Sequence, residues 1–249
     1  MNLSFRQKLE QNKLCIGTFI TLPCPEIAEI CAMAGLDWIL VDLEHTTLEV
    51  KDVQSILQAI NQQCACIVRV PSKDEATIKR VLDVGVNGIM VPHVNTVEET
   101  TSLVQGCLYP PEGKRSVGIA RAQNYGLGFK DYLARANKEI IVIPQVEHVE
   151  GVSRIDDIVR VPGVSGVFIG PYDLSGSMGM LGQVKSTEVQ ESIARVQRSC
   201  SQAGLPAGIF CPDIESARTQ IDQGFTLIVL GMDSRFLVDS VRRVIDQLD

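Results

Sequence analysis

The sequence predicts an α/β fold, a (β/α)8 TIM barrel forming one domain over residues 1–249. Three observations predict it. Short continuous apolar runs alternate with longer amphipathic ones along the chain. The short runs are β-branched and apolar on both faces, as in Ile67-Val68-Arg69-Val70 and Leu227-Ile228-Val229-Leu230, which suits parallel strands covered on both sides. The length of 249 residues also matches the roughly 250 that such a barrel takes.

The elements follow in order. The first strand, 14–20, runs into Thr21-Leu22-Pro23-Cys24-Pro25-Glu26, where a doubly wound open sheet would carry a glycine-rich dinucleotide loop. No GxGxxG or GxxxxGK[ST] pattern occurs anywhere, so that rival fold loses its best support. Helix 25–34 stops at Ala34-Gly35, and strand 37–43 leads to Asp42, Glu44 and His45. Helix 49–62 precedes strand 65–70, which carries Arg69. Helix 74–84 stops at Val84-Gly85, and strand 87–91 ends at Pro92-His93. After helix 97–107 comes a long connection, 109–137, containing Pro110-Pro111-Glu112-Gly113-Lys114-Arg115 and expected as a functional loop on the rim above strand four. Strand 140–146 delivers Gln145 and Glu147, helix 148–160 follows, and strand 165–169 delivers Gly170 and Asp173. Helix 186–203 stops at Ala203-Gly204, and strand 205–210 leads to Cys211. Helix 213–222 stops at Gln223-Gly224. Strand 225–230 ends at Gly231-Met232-Asp233, before a last helix at about 234–247.

Composition narrows the function. Apolar residues make up 45% of the chain, ample for a full core, and the net charge of −7 argues against nucleic acid and anionic membranes as partners. Of the eight cysteines, Cys15, Cys64, Cys66 and Cys107 lie in or beside apolar runs. Cys64-Ala65-Cys66 has one spacer where zinc pairs have two to four. Reduced, mostly buried thiols and a reducing compartment are expected. The start, Met1 to Lys8, lacks the apolar stretch of a signal peptide, and no run reaches the ~18 apolar residues of a membrane span. A soluble, cytoplasmic protein is expected.

In a barrel, the residues just after each strand share one rim. Glu147 and Asp173 close neighbouring strands there, and a carboxylate at the mouth of an apolar strand is costly unless something cationic meets it. Two such groups suit one hard divalent cation. Alternatively, Glu147 caps or salt-bridges the next helix, and Asp173 is the N-cap of a short helix at 174–179. Arg69, in an otherwise apolar strand, needs an anionic partner, and a substrate carboxylate or enolate would serve. His45 sits among Asp42, Leu43 and Glu44, acids that can keep it basic and oriented; a structural role is the alternative. His93 and His148 read as incidental, His148 beginning the following helix. Schiff-base chemistry needs a desolvated lysine at a strand end, and only Lys73 lies near the rim, in a polar loop. Metal-assisted chemistry therefore gains. A 2-oxo acid is a suitable chelator, and the metal would act as a Lewis acid that stabilises an enolate.

Several segments together resemble the HpcH/HpaI aldolases, the metal-dependent class II pyruvate aldolases. They are Gly35 to His45, Val68-Arg69-Val70-Pro71, Tyr109 to Arg115, Ala120-Arg121-Ala122, Gln145-Val146-Glu147 and Phe168 to Ser175, in order from about residue 14 to 235. The resemblance implies the phosphoenolpyruvate/pyruvate type of barrel, assembled into homo-oligomers, as trimers or hexamers. It implies Mg2+, Mn2+ or Co2+ on Glu147 and Asp173, with Arg69 at the keto oxygen of pyruvate and Gln145 lining the site. It also implies that His45, supported by Asp42, works through water as the acid/base, and that backbone groups after Gly170 hold the carboxylate. Departures sit nearby: Thr46-Thr47 follow His45, Phe19 stands where a tryptophan is common, His93 where a non-ionisable residue is, and Tyr172 beside Asp173 where a small one is.

The function expected is cleavage, or formation, of a 4-hydroxy-2-oxo acid to pyruvate and an aldehyde. Related enolate chemistry, such as citrate-synthase-like condensation or oxaloacetate decarboxylation, is the enzymatic alternative. A regulatory barrel that binds 2-oxo acids is the non-enzymatic one.

Overall fold

Each strand alternates between two apolar surroundings, and that alternation shapes the molecule. A computed structural model describes residues 3–248. Met1 and Asn2, part of the start expected to lack an apolar stretch, lie with Asp249 outside the described residues. The strands are β1 (Cys15–Ile20), β2 (Trp38–Asp42), β3 (Ala65–Arg69), β4 (Gly88–Val91), β5 (Ile141–Val146), β6 (Val167–Ile169), β7 (Ala207–Cys211) and β8 (Leu227–Met232). They pair in parallel in chain order, and β8 closes on β1, so the (β/α)8 barrel expected from the sequence is the fold. Trp38, Leu40, Ile67, Ile143, Phe168 and Val229 fill its interior. Their neighbours Ile39, Val41, Val68, Val142, Ile169 and Ile228 point outward under the helices. A period of two carries the same alternation past each strand's end. Asp42, Arg69, Gln145 and Glu147 therefore continue the inward rows as a polar layer on top of the apolar plug.

The outer ring contains α2 (Pro25–Met33), α3 (Val50–Ile60), α4 (Glu75–Val84), α5 (Val97–Cys107), α10 (Thr187–Gln202) and α11 (Ile214–Asp222). The glycines expected to stop helices, Gly35, Gly85, Gly204 and Gly224, all have positive φ. The single helix expected at 148–160 is two, α7 (Val149–Ser153) and α8 (Ile155–Ile158), because Arg154 leaves helical geometry at φ −104° and ψ 8°. His148 is the N-cap of α7, as expected. Two α-helices among the described residues were not anticipated. One is α1 (Phe5–Glu10), short and mostly polar; its Leu9 is buried, Phe5 stacks on Trp38, and Arg6 donates to the Ile140 carbonyl at 3.0 Å, which covers the bottom of the barrel. The other is α6 (Phe129–Glu139), which begins inside the stretch 109–137 expected as a loop and runs past its end.

That stretch follows a helix, not a strand, and runs along α4: Lys114 Nζ lies 3.6 Å from Glu75 Oε2 at the start of that helix, and later residues pack at its far end. Arg121 donates to the carbonyl of Val84 at the end of α4, Ala122 packs on Gly85, and buried Arg115 pairs with Asp83 at 2.7 Å. Packed along α4 and carrying most of α6, the segment is not a simple rim loop above β4.

The last helix, α12 (Asp233–Ile245), starts from an anchored root. Asp233 accepts hydrogen bonds from the backbone N–H groups of Thr21 and Leu22 and from the Thr21 hydroxyl. Beyond it, Phe236, Leu237, Val241 and Val244 are exposed. No helix among the described residues is long and apolar enough to cross a membrane. The eight cysteines are free. Burial pushes the thiols of Cys15, Cys64, Cys107, Cys200 and Cys211 up to about 12, so they stay protonated core groups.

Candidate active site

Asp42 and Arg69 are register partners at the tops of β2 and β3, and both face inward. The guanidinium forks onto the carboxylate, with Nε to Oδ1 and Nη2 to Oδ2 each at 2.8 Å. Nη1 is the nitrogen that Asp42 leaves unengaged. Glu44 Oε2 lies 3.3 Å from Nε, and the Phe19 ring supports the cation from one side, 4.8 Å from Cζ to centroid. Burial opposes the Arg69 charge, but Asp42, Glu44 and Glu147 more than offset it and raise its pKa. The cation is permanent and rigidly aimed.

Both oxygens of Asp42 serve Arg69, and Oδ1 also accepts the Glu44 N–H at 3.1 Å. His45 lies on the exposed lip of the site, 65% accessible, with Nε2 3.7 Å from Glu44 Oε2. The acid beside His45 is Glu44.

Across the barrel mouth, Glu147 stands two residues beyond Gln145 on the inward row of β5, and both are buried. Glu147 Oε2 accepts a short hydrogen bond from Gln145 Nε2. Its Oε1 receives the backbone N–H of His93 at 2.8 Å and lies 3.1 Å from the Nδ1 of that ring. It does not cap the next helix, which His148 does. Burial pushes the Glu147 carboxyl up, and the like charge of Asp173 adds to the shift; the bonds from His93 and Gln145 oppose it. A buried carboxylate that resists ionisation in this way is stabilised by an added cation.

Asp173 comes from α9 (Pro171–Ser177), where Pro171 begins the helix earlier than expected and Gly170 is the N-cap. Asp173 is thus an exposed first-turn residue, not the N-cap of a helix at 174–179. Gly170 has a steric reason to be glycine: a Cβ there would lie 2.5 Å from Glu147 Oε2 and 3.0 Å from Gln145 Nε2. Tyr172 is half exposed at the edge of the same mouth.

The donor set fits a hard divalent ion. Two carboxylates, one buried and one exposed, leave positions for water and a chelating substrate. The Oε1 of Gln145 is a buried acceptor with no partner in the protein, beside Glu147. Among the described residues no group of three or more His, Cys, Asp and Glu side chains is gathered to hold a metal ion. Lys73 is not available as a free amine: its Nζ bonds the His93 carbonyl at 2.8 Å and pairs with Glu99.

Two groups went unassigned from the sequence. Glu44 sits between both histidines, with Oε1 3.9 Å from His93 Nε2. His93 turned inward because its backbone is left-handed, at φ 54°. The available signal was a histidine placed straight after the Val91-Pro92 end of β4.

The chain is similar to several known proteins along almost its whole length. The chain is 41% identical, over 96% of its length and 87% of the relative, to a hydroxypyruvate/pyruvate aldolase of Deinococcus radiodurans. It is 36% identical to a 4-hydroxy-2-oxovalerate aldolase of Rhodococcus jostii, covering 94% of this chain and 91% of that one. A crystal structure of an HpcH/HpaI aldolase/citrate lyase family protein from Burkholderia cenocepacia superposes with a TM-score of 0.95 at 34% identity, covering 99% of each chain. The family profile described as HpcH/HpaI aldolase/citrate lyase matches residues 15–240. The protein is an aldolase-type carbon–carbon lyase and belongs to the HpcH/HpaI aldolase/citrate lyase family.

Proposed function

We propose that the protein cleaves a 4-hydroxy-2-oxo acid to pyruvate and an aldehyde, or runs that reaction in reverse, with a divalent ion (Mg2+, Mn2+ or Co2+) on Glu147 and Asp173. One observation carries this: the buried carboxylate of Glu147 and the clamped guanidinium of Arg69 lie on the same barrel mouth, and the nearby amine of Lys73 is engaged by Glu99. When bound, the ion supplies Lewis acidity to the keto group of the 2-oxo acid. The chain's own residues do the rest.

Arg69, clamped by Asp42, directs Nη1 at the negative charge that develops on the keto oxygen, and the clamp spares it reorganisation during the reaction. Gln145 holds one oxygen of Glu147 and lines the pyruvate side. The first turn of α9 has no side-chain cap, so its N–H groups past Gly170 are free to meet the substrate carboxylate. His45, on the lip beside Glu44, exchanges the proton of the 4-hydroxyl through water. Tyr172, at the edge, meets the departing aldehyde.

The experiment is a panel of 4-hydroxy-2-oxo acids of different chain length, read out as pyruvate released. At least one member should be cleaved, EDTA should abolish the release, and Mn2+ should restore it. Activity that survives EDTA would sink the metal assignment.

The exposed apolar side chains of α12 support assembly into a homo-oligomer, a trimer or hexamer. Light scattering should give a solution mass at a multiple of 27.2 kDa; the monomer mass alone would contradict it.

A further inference from the structure

Glu44 stands between two imidazoles without touching either. Its Oε2 lies 3.7 Å from His45 Nε2, and its Oε1 lies 3.9 Å from His93 Nε2. Oε2 is also drawn to Arg69, 3.3 Å from Nε, which leaves Oε1 the less engaged oxygen. The Glu44 side chain is nearly buried, whereas both rings are more than half exposed, so the gap beside Oε1 opens onto the mouth.

The His93 ring is pinned, and the gap is therefore held open. Its backbone is left-handed, its N–H goes to Glu147 Oε1 at 2.8 Å, and its Nδ1 lies 3.1 Å from the same oxygen. Lys73 Nζ holds the His93 carbonyl at 2.8 Å. A separation of 3.9 Å is too long for a direct hydrogen bond, yet one oxygen fits between the two groups at about 2.8 Å from each. A hydroxyl suits that place because it both donates and accepts: to the Glu44 carboxylate or a bare Nε2, and from a protonated one. An alkyl group can do neither. A carboxylate would meet the like charges of Glu44 and Glu147.

We propose that the gap between His93 and Glu44 selects the aldehyde, favouring one with a hydroxyl on the carbon next to its carbonyl, and that His93 is the specificity-determining residue. The 2-oxo acid cleaved is then a 4,5-dihydroxy one. This rests on the aldolase reading with His45 at the 4-hydroxyl. Hydroxyls on neighbouring carbons can lie side by side, as the two oxygens of a carboxylate do. With the 4-hydroxyl near His45, on one oxygen of Glu44, the next hydroxyl faces His93 on the other.

The test runs the reaction toward condensation, with the intact protein, Mn2+ and pyruvate. The ratio of kcat/KM for 2-hydroxypropanal to that for propanal, an aldehyde of equal length, is compared between variants. Each aldehyde's own reactivity is common to all of them, so a change in the ratio belongs to the protein. His93→Gly removes the ring, keeps the backbone N–H on Glu147 and suits a positive φ. It should lower the ratio at least about tenfold, the loss of one hydrogen bond. His93→Asn tolerates a left-handed backbone and keeps a polar group on the gap, so it should retain part of the preference. Where a variant is too slow for separate rates, the initial product ratio from a mixture of both aldehydes gives the same number. A ratio that His93→Gly leaves unchanged, with both aldehydes condensed, overturns the selection by His93 alone. So does exchange of pyruvate protons with solvent when neither aldehyde is condensed. Failure of both condensation and exchange in the wild type would take the aldolase reading down as well.

Discussion

Glu147→Gln is expected to lose the divalent ion and, with it, cleavage. The substitution keeps the shape and volume of the side chain, so the barrel should remain folded. What changes is charge at a buried position where one oxygen faces His93 and the other Gln145. An amide cannot offer the anionic oxygen that a hard cation needs, and Asp173 alone, exposed on α9, is a single carboxylate in water. Calorimetry should show affinity for Mn2+ falling by at least about a hundredfold. Pyruvate release should fall roughly a thousandfold, equivalent to about 4 kcal/mol of transition-state stabilisation. Glu147→Gln that still bound Mn2+ with wild-type affinity would remove Glu147 from the ligand set. Thermal stability should stay the same or rise, because burial holds the native carboxyl above its ordinary pKa and the amide carries no charge to desolvate.

Arg69→Ala should produce the second large effect, and on two properties at once. It strips a guanidinium from the keto-oxygen side of the site, and removing one such donor costs roughly 10²–10³ in kcat. It also strands Asp42, a buried carboxylate whose two oxygens both bind Arg69. Breaking a buried pair from one side costs about 3–5 kcal/mol. The two losses can be separated. Adding Asp42→Asn to Arg69→Ala removes the stranded charge, so urea unfolding should recover much of the lost stability while kcat stays low. A double variant that recovered kcat along with stability would make Arg69 a structural residue. Arg69→Lys should sit between these cases, since an ammonium keeps the charge but cannot fork onto Asp42.

The legibility of this chain follows its periodicities. Runs such as Ile67-Val68-Arg69 announced parallel strands because both faces are buried, one in the barrel and one under the helices. The same period of two explains why Gln145 and Glu147 were readable as a pair: residues two apart on a strand share a face. Helix α1 was not readable, because six residues with one buried leucine carry little amphipathic signal, and its stability comes from packing on Trp38. Segment 109–137 was misplaced by taking its position from β4 instead of from α5, the element it follows. That error also hid α6, whose polar sequence buries only Ala136. The partner of Asp42 depends on cross-strand register, which sets Asp42 against Arg69. His93 was the hardest to see. Its importance comes from a left-handed backbone that turns the ring back onto Glu147, and nothing in Val91-Pro92-His93 announces such a turn.

Exchange of the methyl protons of pyruvate with deuterated water, followed by proton NMR, tests the central claim most directly, because it needs no knowledge of the aldehyde. The protein with Mg2+ should catalyse the exchange; EDTA should stop it, and Glu147→Gln should never start it. Exchange that persists in EDTA, or at wild-type rate in Glu147→Gln, would contradict the assignment of Glu147 and Asp173 as the anchor of the ion that makes pyruvate acidic.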